Sequence, residues 1–420
     1  MGVKTTVSPF APKRFARMPK VDGIALASVA TGSRYQGRDD LLVARFAPGT
    51  HVAGVFTTSK TTSAAVDLSR AHLANGKARA LVVNAGIANA FTGKAGARAA
   101  LQTAKAAAKT FACPVEQVFV ASTGVIGEDL DAKPLIAGIH QAAENLPESG
   151  GDFHAAAHAI GTTDTFAKGA TRTVKFGREK VVINAIVKGS GMIAPDMATL
   201  LAFVFTDAAI PPGILQKLLS ESNAASLNCL TVDSDTSTSD TCLLFASGRK
   251  KLTGPALRSL EDKRLSAFRA GLLAVMQDLA VQTASDGEGV SKLITIDVKG
   301  AEDDAAARRI GLAIGNSPLV KTAVAGADAN WGRIVMAVGK SGELVERDRL
   351  AIDIGGHKVA RAGRAVAGYK EAPVARHMRG KKIHFTVHVG AKRGKGRGQA
   401  RIWASDLTHG YISINADYRS

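Results

Sequence analysis

One threonine, Thr199, lies between the small Ala198 and an apolar run from Leu200 to Phe205. Contact with solvent alone is a poor explanation for a hydroxyl group in this setting. Cleavage of the chain before Thr199 would give it a free α-amino group. Such a group has an ordinary pKa of about 7.7–8.0, so it could act as the base for the residue's own hydroxyl. N-terminal threonine enzymes use this arrangement to attack acyl groups. The other interpretation is that Thr199 is merely the first residue of a strand, and spacing alone favours it, since lone motifs often occur by chance.

A second candidate stretch runs from Val118 to Gly127, where a β-branched run breaks into Ser122, Thr123 and Gly124. Strand ends that break into glycine expose backbone N–H groups. Donors aimed at a developing oxyanion contribute about 3–4 kcal/mol each in acyl-transfer enzymes. The pattern therefore indicates an oxyanion site, with an ordinary strand-to-loop turn as the alternative.

Two charged side chains complete the candidate chemistry. Lys188 lies eleven positions before Thr199, and its ammonium group could pair with a substrate carboxylate. Glu288 lies between two glycines that free the backbone to approach a ligand, and its carboxylate could hold the amine of a basic amino acid. The alternatives are a surface lysine and a polar turn.

Both helical and strand patterns surround these residues. Val181 to Val187 reads as a strand that leads into a Gly-Ser-Gly turn, and the alanine-rich run from Lys94 to Phe111 predicts a helix. A long amphipathic helix is predicted over Asp262 to Ser285, because its apolar residues form one stripe: Leu265, Phe268, Leu272, Val275, Met276 and Leu279. The sequence therefore predicts a mixed α and β architecture.

The composition limits the class of protein. With 420 residues, 46% apolar and only 5% aromatic, the chain can form two or three packed units with aliphatic cores. No apolar run reaches the length of about 18 residues that a membrane span needs. Three cysteines without metal-like spacing favour a reducing, cytoplasmic setting. The acidic stretch from Thr231 to Thr241 lacks the glycine and glutamate of a calcium loop, so no metal is expected.

The net charge of +18 raises the question of nucleic-acid binding. Nine positive charges and no acid lie between Arg376 and Arg401. The stretch lacks interleaved stacking aromatics, so a solvated loop or the steering of anionic substrates is favoured, and no nucleic acid is expected as a partner. The basic residues before Asp22 are typical of a transit peptide, but Pro9, Pro12 and Pro19 break an amphipathic helix there.

Several stretches together resemble one family. The segment GMIAPDMATLLAF is similar to the self-cleavage segment of the ornithine acetyltransferase family, the bifunctional glutamate N-acetyltransferases, with Asp196 where the family usually has Asn. The resemblance runs from Gly32 to the last residue and includes further motifs in the family's order: NAGIANAFTG, STGVIG, TTDTFAK, TVDSDTSTSDT, SDGEGVSK, GADANWGRIV and the terminal SDLTHGYISINADYRS.

This resemblance implies an α+β fold. Its core would be an αββα-type sandwich like that of N-terminal-nucleophile-like amidases, over residues 1–290, followed by a smaller α+β unit over 291–420 whose tail returns to the active site. It also implies autocatalytic cleavage between Ala198 and Thr199. The two fragments, 1–198 and 199–420, would stay associated as a dimer of such pairs.

The resemblance also implies the reaction and its residues. Thr199 would take the acetyl group from N2-acetylornithine and pass it to glutamate, with Thr123 and Gly124 holding the oxyanion. The implied substrate contacts are Thr165, Lys188, Thr199, Glu288, Asn415 and Ser420. No cofactor is expected, because the protein itself carries the acyl group, although some members also accept acetyl-CoA as the donor.

Two functions of other classes stay open. The first is a self-processing N-terminal-threonine amidase or aminopeptidase, in which water accepts the acyl group; an assay with and without glutamate separates it from a transferase. The second is a non-catalytic basic binding protein, whose affinity for nucleic acid would depend on salt and not on Thr199.

Overall fold

The computed structural model describes residues 6–194, 200–391 and 396–416. Two β-sheets form its centre. The first has the strand order β1-β2-β4-β5, in which only β4 and β5 are parallel. Its strands are β1 (Ile24–Val29), β2 (Leu41–Phe46), β4 (Ala80–Ile87) and β5 (Val118–Val125).

The second sheet has the order β3-β10-β8-β7-β6 and holds the segments on both sides of residues 195–199. Its strands are β3 (His51–Phe56), β6 (Lys168–Phe176), β7 (Glu179–Lys188), β8 (Leu201–Ala208) and β10 (Thr241–Lys250). Strand β7 precedes this segment and pairs antiparallel with β8, which follows it, from Ile183 opposite Thr206 to Lys188 opposite Leu201. Strand β8 in turn pairs parallel with β10.

The two sheets pack face to face over an apolar core rich in phenylalanine. Phe46 of the first sheet stacks on Phe245 of the second at a centroid distance of 4.3 Å, and Phe205 lies 5.8 Å from Phe245. Helices α1 (Ala64–Leu73), α2 (Gly93–Thr110) and α3 (Ala132–Asn145) cover the outer face of the first sheet. Helix α4 (Phe153–Ala159) packs against β1, β6 and β7, while α5 (Pro212–Ala224) and α6 (Ser266–Ala284) cover the second sheet.

This layering confirms the predicted αββα sandwich. The alanine-rich helix expected from Lys94 to Phe111 is α2, whose small buried side chains let it lie close to the sheet. The predicted apolar stripe of α6 is confirmed, because all six of its residues are buried. Helix α6 begins at Ser266 rather than Asp262, because the Asp262 side chain accepts a hydrogen bond from Arg264 N and caps a short 3₁₀ turn instead.

A third sheet follows, with the order β14-β13-β12-β15-β11-β16-β9. Its edge strand β9 (Leu230–Thr231) comes from the segment that precedes β10. The other strands are β11 (Leu293–Ala301), β12 (Ala351–Ile354), β13 (His357–Arg361), β14 (Arg364–Ala365), β15 (Lys382–His388) and β16 (Gly398–Ser405). The helices of this region are α7 (Asp304–Gly315), α8 (Pro318–Ala325), α9 (Trp331–Gly339), α10 (Glu371–Met378) and α11 (His409–Ala416).

None of the helices in the described ranges is both long enough and apolar enough to cross a membrane.

Candidate active site

A cavity of about 300 Å³ lies where β5 and β7 end. Five residues that the sequence singled out line it: Thr123, Gly124, Lys188, Glu288 and Asn415. They come from four separate stretches of the chain, so the fold brings distant motifs to one place. Ser237, Thr238 and Ser239 also line the cavity.

Strand β5 carries the two expected oxyanion residues. The sequence predicted that the strand breaks at Ser122, but it continues to Val125, because β4 pairs with it in parallel and places Gly86 opposite Gly124. Gly124 has a φ of +132°, and a Cβ there would lie 2.1 Å from the carbonyl carbon of Gly86. Only glycine fits this close approach, which holds residues 123 and 124 at the cavity.

Lys188 is the last residue of β7 and is only 5% exposed, so it is no surface lysine. Its Nζ donates a hydrogen bond to Thr123 Oγ1 over 3.2 Å. Burial lowers the pKa of Lys188 below the ordinary lysine value, while the carboxyl groups of Asp164, Asp240 and Glu288 favour its charged form. The lysine therefore presents a buried ammonium group to the cavity.

Glu288 faces the same cavity and is oriented by the C-terminal helix. Asn415 of α11 donates from Nδ2 to Glu288 Oε2 over 2.8 Å, and Glu288 N donates to the Ser190 carbonyl over 3.1 Å. A Cβ at Gly191 would lie 2.4 Å from Glu288 Oε2, so only a residue without a side chain lets the carboxylate approach this turn. The site thus places a carboxylate and an ammonium group on one cavity.

Thr165 lies in an adjoining cavity of about 310 Å³, which shares Glu288 with the first. Its hydroxyl donates to Asp286 and accepts from Ser8 N over 2.9 Å, and its own backbone N–H donates to Asp286 over 3.0 Å. The sequence analysis did not find the Ser8 contact, because the partners are 157 residues apart and no local pattern marks them.

A buried charge cluster supports the turn after Lys188. Lys168 is fully buried, and its Nζ lies 2.5 Å from carboxylate oxygens of both Asp164 and Asp286. Asp164 also accepts from Gly189 N over 2.7 Å, and the Asp286 carbonyl accepts from Ser190 Oγ over 2.6 Å. The cluster therefore fixes the backbone on which Lys188 sits.

The protonation states in this cluster follow from its contacts. Burial opposes charge on Asp164, but the Lys168 and Lys188 ammonium groups and the Gly189 N–H hold its pKa well below the ordinary value. Burial likewise opposes charge on Lys168, yet the two carboxylates raise its pKa. For Asp286, burial dominates and raises the pKa. The sequence analysis identified TTDTFAK as a family motif but did not find this ion cluster.

Three residues of the predicted site, Ala198, Thr199 and Ser420, lie outside the described residues. The chain on both sides of residues 195–199 is held by two aspartates of one loop. Asp233 accepts from Met192 N over 2.6 Å and from Ile193 N over 2.7 Å. Asp240 accepts from Leu200 N over 2.8 Å. The acidic stretch from Thr231 to Thr241 therefore has a structural task that the sequence analysis did not assign.

Within the described ranges, no group of three or more His, Cys, Asp or Glu side chains lies close enough together to hold a metal ion. The cysteines are free thiols. Burial raises the pKa of Cys229 to about 11 and that of Cys242 to about 12, which keeps both thiols protonated near neutral pH.

Comparison with known proteins gives a consistent result. The profile of the ArgJ family matches residues 25–420. The arginine biosynthesis bifunctional protein ArgJ of Bradyrhizobium diazoefficiens is 51% identical over 419 residues, covering 100% of both chains. The protein of that name from Rhizobium meliloti is 52% identical and covers 99% of each chain. The crystal structure of arginine biosynthesis bifunctional protein ArgJ from Bacillus halodurans is 37% identical, with a TM-score of 0.48 over 51% of this chain and 98% of that one.

Proposed function

The chain belongs to the ArgJ family of arginine-biosynthesis enzymes, and from this we propose that it transfers the acetyl group of N2-acetylornithine to glutamate. The acetyl group would be carried on Thr199 after autocatalytic cleavage between Ala198 and Thr199. The observation that carries this proposal is the convergence of Lys188, Thr123 and Glu288 on one cavity. Because the relatives are named bifunctional, we also propose acetyl-CoA as a second donor, for making N-acetylglutamate.

The proposed reaction has two halves. In the first, the α-amine of Thr199 takes the hydroxyl proton while Oγ1 attacks the acetyl carbonyl, and Thr123 and Gly124 stabilise the oxyanion. Collapse breaks the amide C–N bond, the proton passes to the departing nitrogen, and ornithine leaves. In the second half, the glutamate amine attacks the acetyl ester. Its proton returns through the α-amine to Oγ1, which restores the threonine. No cofactor is needed for either half.

The charges of the cavity support amino-acid substrates. An α-amino acid presents a carboxylate, which would pair with the Lys188 ammonium, and the distal amine of ornithine would pair with the Glu288 carboxylate. Asn415 would orient Glu288 through the hydrogen bond that it donates. Thr165 would contact the part of the substrate that extends past Glu288 into the adjoining cavity. Ser420 is proposed as a further contact on the family resemblance alone.

The strand pairing supports lasting association of the two proposed fragments. Fragment 1–198 would contribute β7 and fragment 199–420 would contribute β8 and β10, which are adjacent in one sheet. Separating the fragments would break that sheet and divide an apolar core, a large cost in buried surface. We propose that two such pairs form a dimer.

The test is the intact mass of the purified wild-type protein beside a Thr199→Ala variant, followed by acetyl transfer with and without glutamate. We expect two wild-type fragments, the second beginning at Thr199, and an uncut variant that lacks transfer activity. A wild-type chain that stays whole would contradict the proposal. Acetate release at the same rate without glutamate would identify the hydrolase instead.

A further inference from the structure

A segment near the start of the chain, residues 6–20, lies against the fold beside the candidate active site. Residues 6–9 line the adjoining cavity of about 310 Å³, which shares Glu288 with the first cavity. Ser8 is only 8% exposed, and its hydroxyl donates to the Ser285 carbonyl over 2.5 Å. Its N–H donates to Thr165 Oγ1 over 2.9 Å. The segment therefore forms one wall of the adjoining cavity.

Further contacts anchor the rest of this segment. Phe10 packs against the buried apolar cluster that contains α6. Met18 lies so close to β6 that a Cβ at Gly169 would be 2.4 Å from Met18 Cε. The Pro19 carbonyl accepts from Asn184 Nδ2 over 2.7 Å. These contacts hold the segment in one position, so its wall can limit what the cavity accepts.

The hydrogen bonds around the cavity indicate which kind of ligand it fits. A hydroxyl group has one proton to donate and two lone pairs that accept. Four of the lining residues already donate their hydroxyl protons to protein oxygens: Ser8, Thr165, Ser190 and Ser413. These hydroxyls can therefore only accept from a ligand. Glu288 is the only charged side chain among the described residues that line this cavity, so the lining favours a cation with several N–H donors, such as a primary ammonium group.

We propose that residues 6–9 form the end wall of a subsite for the ammonium end of the donor's side chain, and that Val7 and Ser8 thereby set the side-chain length that the enzyme accepts. The inference rests on the proposed function, in which the distal amine of ornithine binds beside Glu288. Neither Val7 nor Ser8 takes part in the acyl transfer. They act on which donor fits the cavity.

A fixed end wall has a measurable consequence. One extra or missing methylene in a fitted pocket changes kcat/KM by about 10- to 200-fold. N2-acetyllysine is one methylene longer than N2-acetylornithine, and the N2-acetyl derivative of 2,4-diaminobutyrate is one methylene shorter. We expect the wild type to prefer N2-acetylornithine over both by a factor in this range.

The experiment measures kcat/KM for these three donors, with glutamate as the acceptor, in full-length Val7→Trp and Ser8→Ala. Tryptophan adds bulk to the wall, so the shorter donor should gain on N2-acetylornithine by roughly 10-fold. Alanine removes the hydrogen bond to the Ser285 carbonyl and loosens the wall. The preference for N2-acetylornithine over N2-acetyllysine should then fall roughly 2- to 10-fold, the effect of losing one hydrogen bond.

Lys13→Trp is the matched control. Lys13 belongs to the same segment, is exposed and does not line the cavity, so the variant adds the same side chain away from the proposed wall. We expect it to keep the wild-type ratios of kcat/KM among the three donors.

A changed ratio in Val7→Trp or Ser8→Ala, with wild-type ratios in Lys13→Trp, would support the inference. If Ser8→Ala does not fold, Val7→Trp decides alone, because Val7 is 59% exposed and its replacement leaves the core intact. Wild-type ratios in the folded variants, the same change in the control, or a wild type that uses all three donors equally would overturn the inference. A wild type that is not cut, or that does not use N2-acetylornithine, would instead contradict the proposed function.

Discussion

Two buried lysines at neighbouring strand ends use their charge in opposite ways. Lys168 begins β6 and pairs in register with Val187, the residue before Lys188 at the end of β7. Lys168 is enclosed by Asp164 and Asp286, each 2.5 Å from its Nζ. Lys188 has the Thr123 hydroxyl at 3.2 Å, and no carboxylate within the described part of the chain forms an ion pair with it.

The difference indicates that Lys168 stabilises the structure around the cavity, whereas Lys188 is placed to bind a ligand in it. The partners of Lys168 raise its pKa despite burial, because two carboxylates contact its ammonium group. Burial lowers the pKa of Lys188, which indicates a charge whose solvation the protein has only partly replaced. A substrate carboxylate would form an ion pair with Lys188, as Asp164 and Asp286 do with Lys168.

The largest effect is expected from Lys168→Met. It leaves Asp164 and Asp286 buried together without their cation, and breaking a buried ion pair from one side costs about 3–5 kcal/mol. We expect a marked fall in the thermal unfolding midpoint, together with loss of activity, because Asp164 also holds Gly189 N. Thermal unfolding monitored by circular dichroism measures it.

Lys168→Arg serves as the control for charge, since it keeps a cation in the cluster with a different shape, and it should lose less stability than the methionine variant. An unchanged unfolding midpoint in Lys168→Met would show that the cluster does not hold the fold, and the contrast between the two lysines would fail.

Lys188→Met should weaken substrate binding without lowering the stability of the fold. Removing a buried, only partly compensated charge is expected to leave the unfolding midpoint unchanged or raise it slightly. The substrate carboxylate loses a charged hydrogen bond that contributes about 1.5–3 kcal/mol, so KM for glutamate should rise roughly 10- to 100-fold. Steady-state acetyl transfer over a range of glutamate concentrations gives this value. A variant with normal KM and a lowered midpoint would assign Lys188 to the fold instead.

The same contrast shows which parts of the site could be predicted from the sequence. The motifs around Thr123, Lys188, Glu288 and Asn415 were each found from residue types and family resemblance, and the fold gathers them in one cavity. The partners of Lys168 could not be found in this way. Asp286 is 118 positions away in the sequence, and a row of hydroxyls beside Asp164 is equally typical of a turn.

Other contacts could not be predicted from the sequence, for the same physical reason. Asp240 meets Leu200 only because β8 and β10 pair in parallel, an arrangement that depends on the whole sheet order. Local periodicity predicted only a mixed α and β architecture, and the layered αββα class was implied by the family resemblance. The order β3-β10-β8-β7-β6 interleaves strands that are far apart in the chain, and no local pattern specifies it.

The smallest expected effect is a change in KM for glutamate at alkaline pH without a loss of stability. The raised pKa of Lys168 means that its stabilising contribution is fully present below the ordinary lysine value of about 10.4 and is lost only as the pH rises through the higher folded value. The lowered pKa of Lys188 means that the folded state binds fewer protons than the unfolded state between its folded pKa and about 10.4. Its contribution to stability therefore becomes more favourable as the pH rises through that window.

Neither lysine thus weakens the fold up to about pH 10.4, yet Lys188 loses the charge that would bind a carboxylate. We expect KM for glutamate to rise between neutral pH and pH ~10 without a matching fall in the unfolding midpoint attributable to either lysine. Deprotonation of glutamate itself also changes KM, and Lys188→Arg isolates the lysine, because a guanidinium group stays charged throughout this range. If the arginine variant shows the same alkaline rise in KM as the wild type, the titrating group is not Lys188. The two lysines would then differ in their contacts, but Lys188 would have no role in binding glutamate that Lys168 lacks.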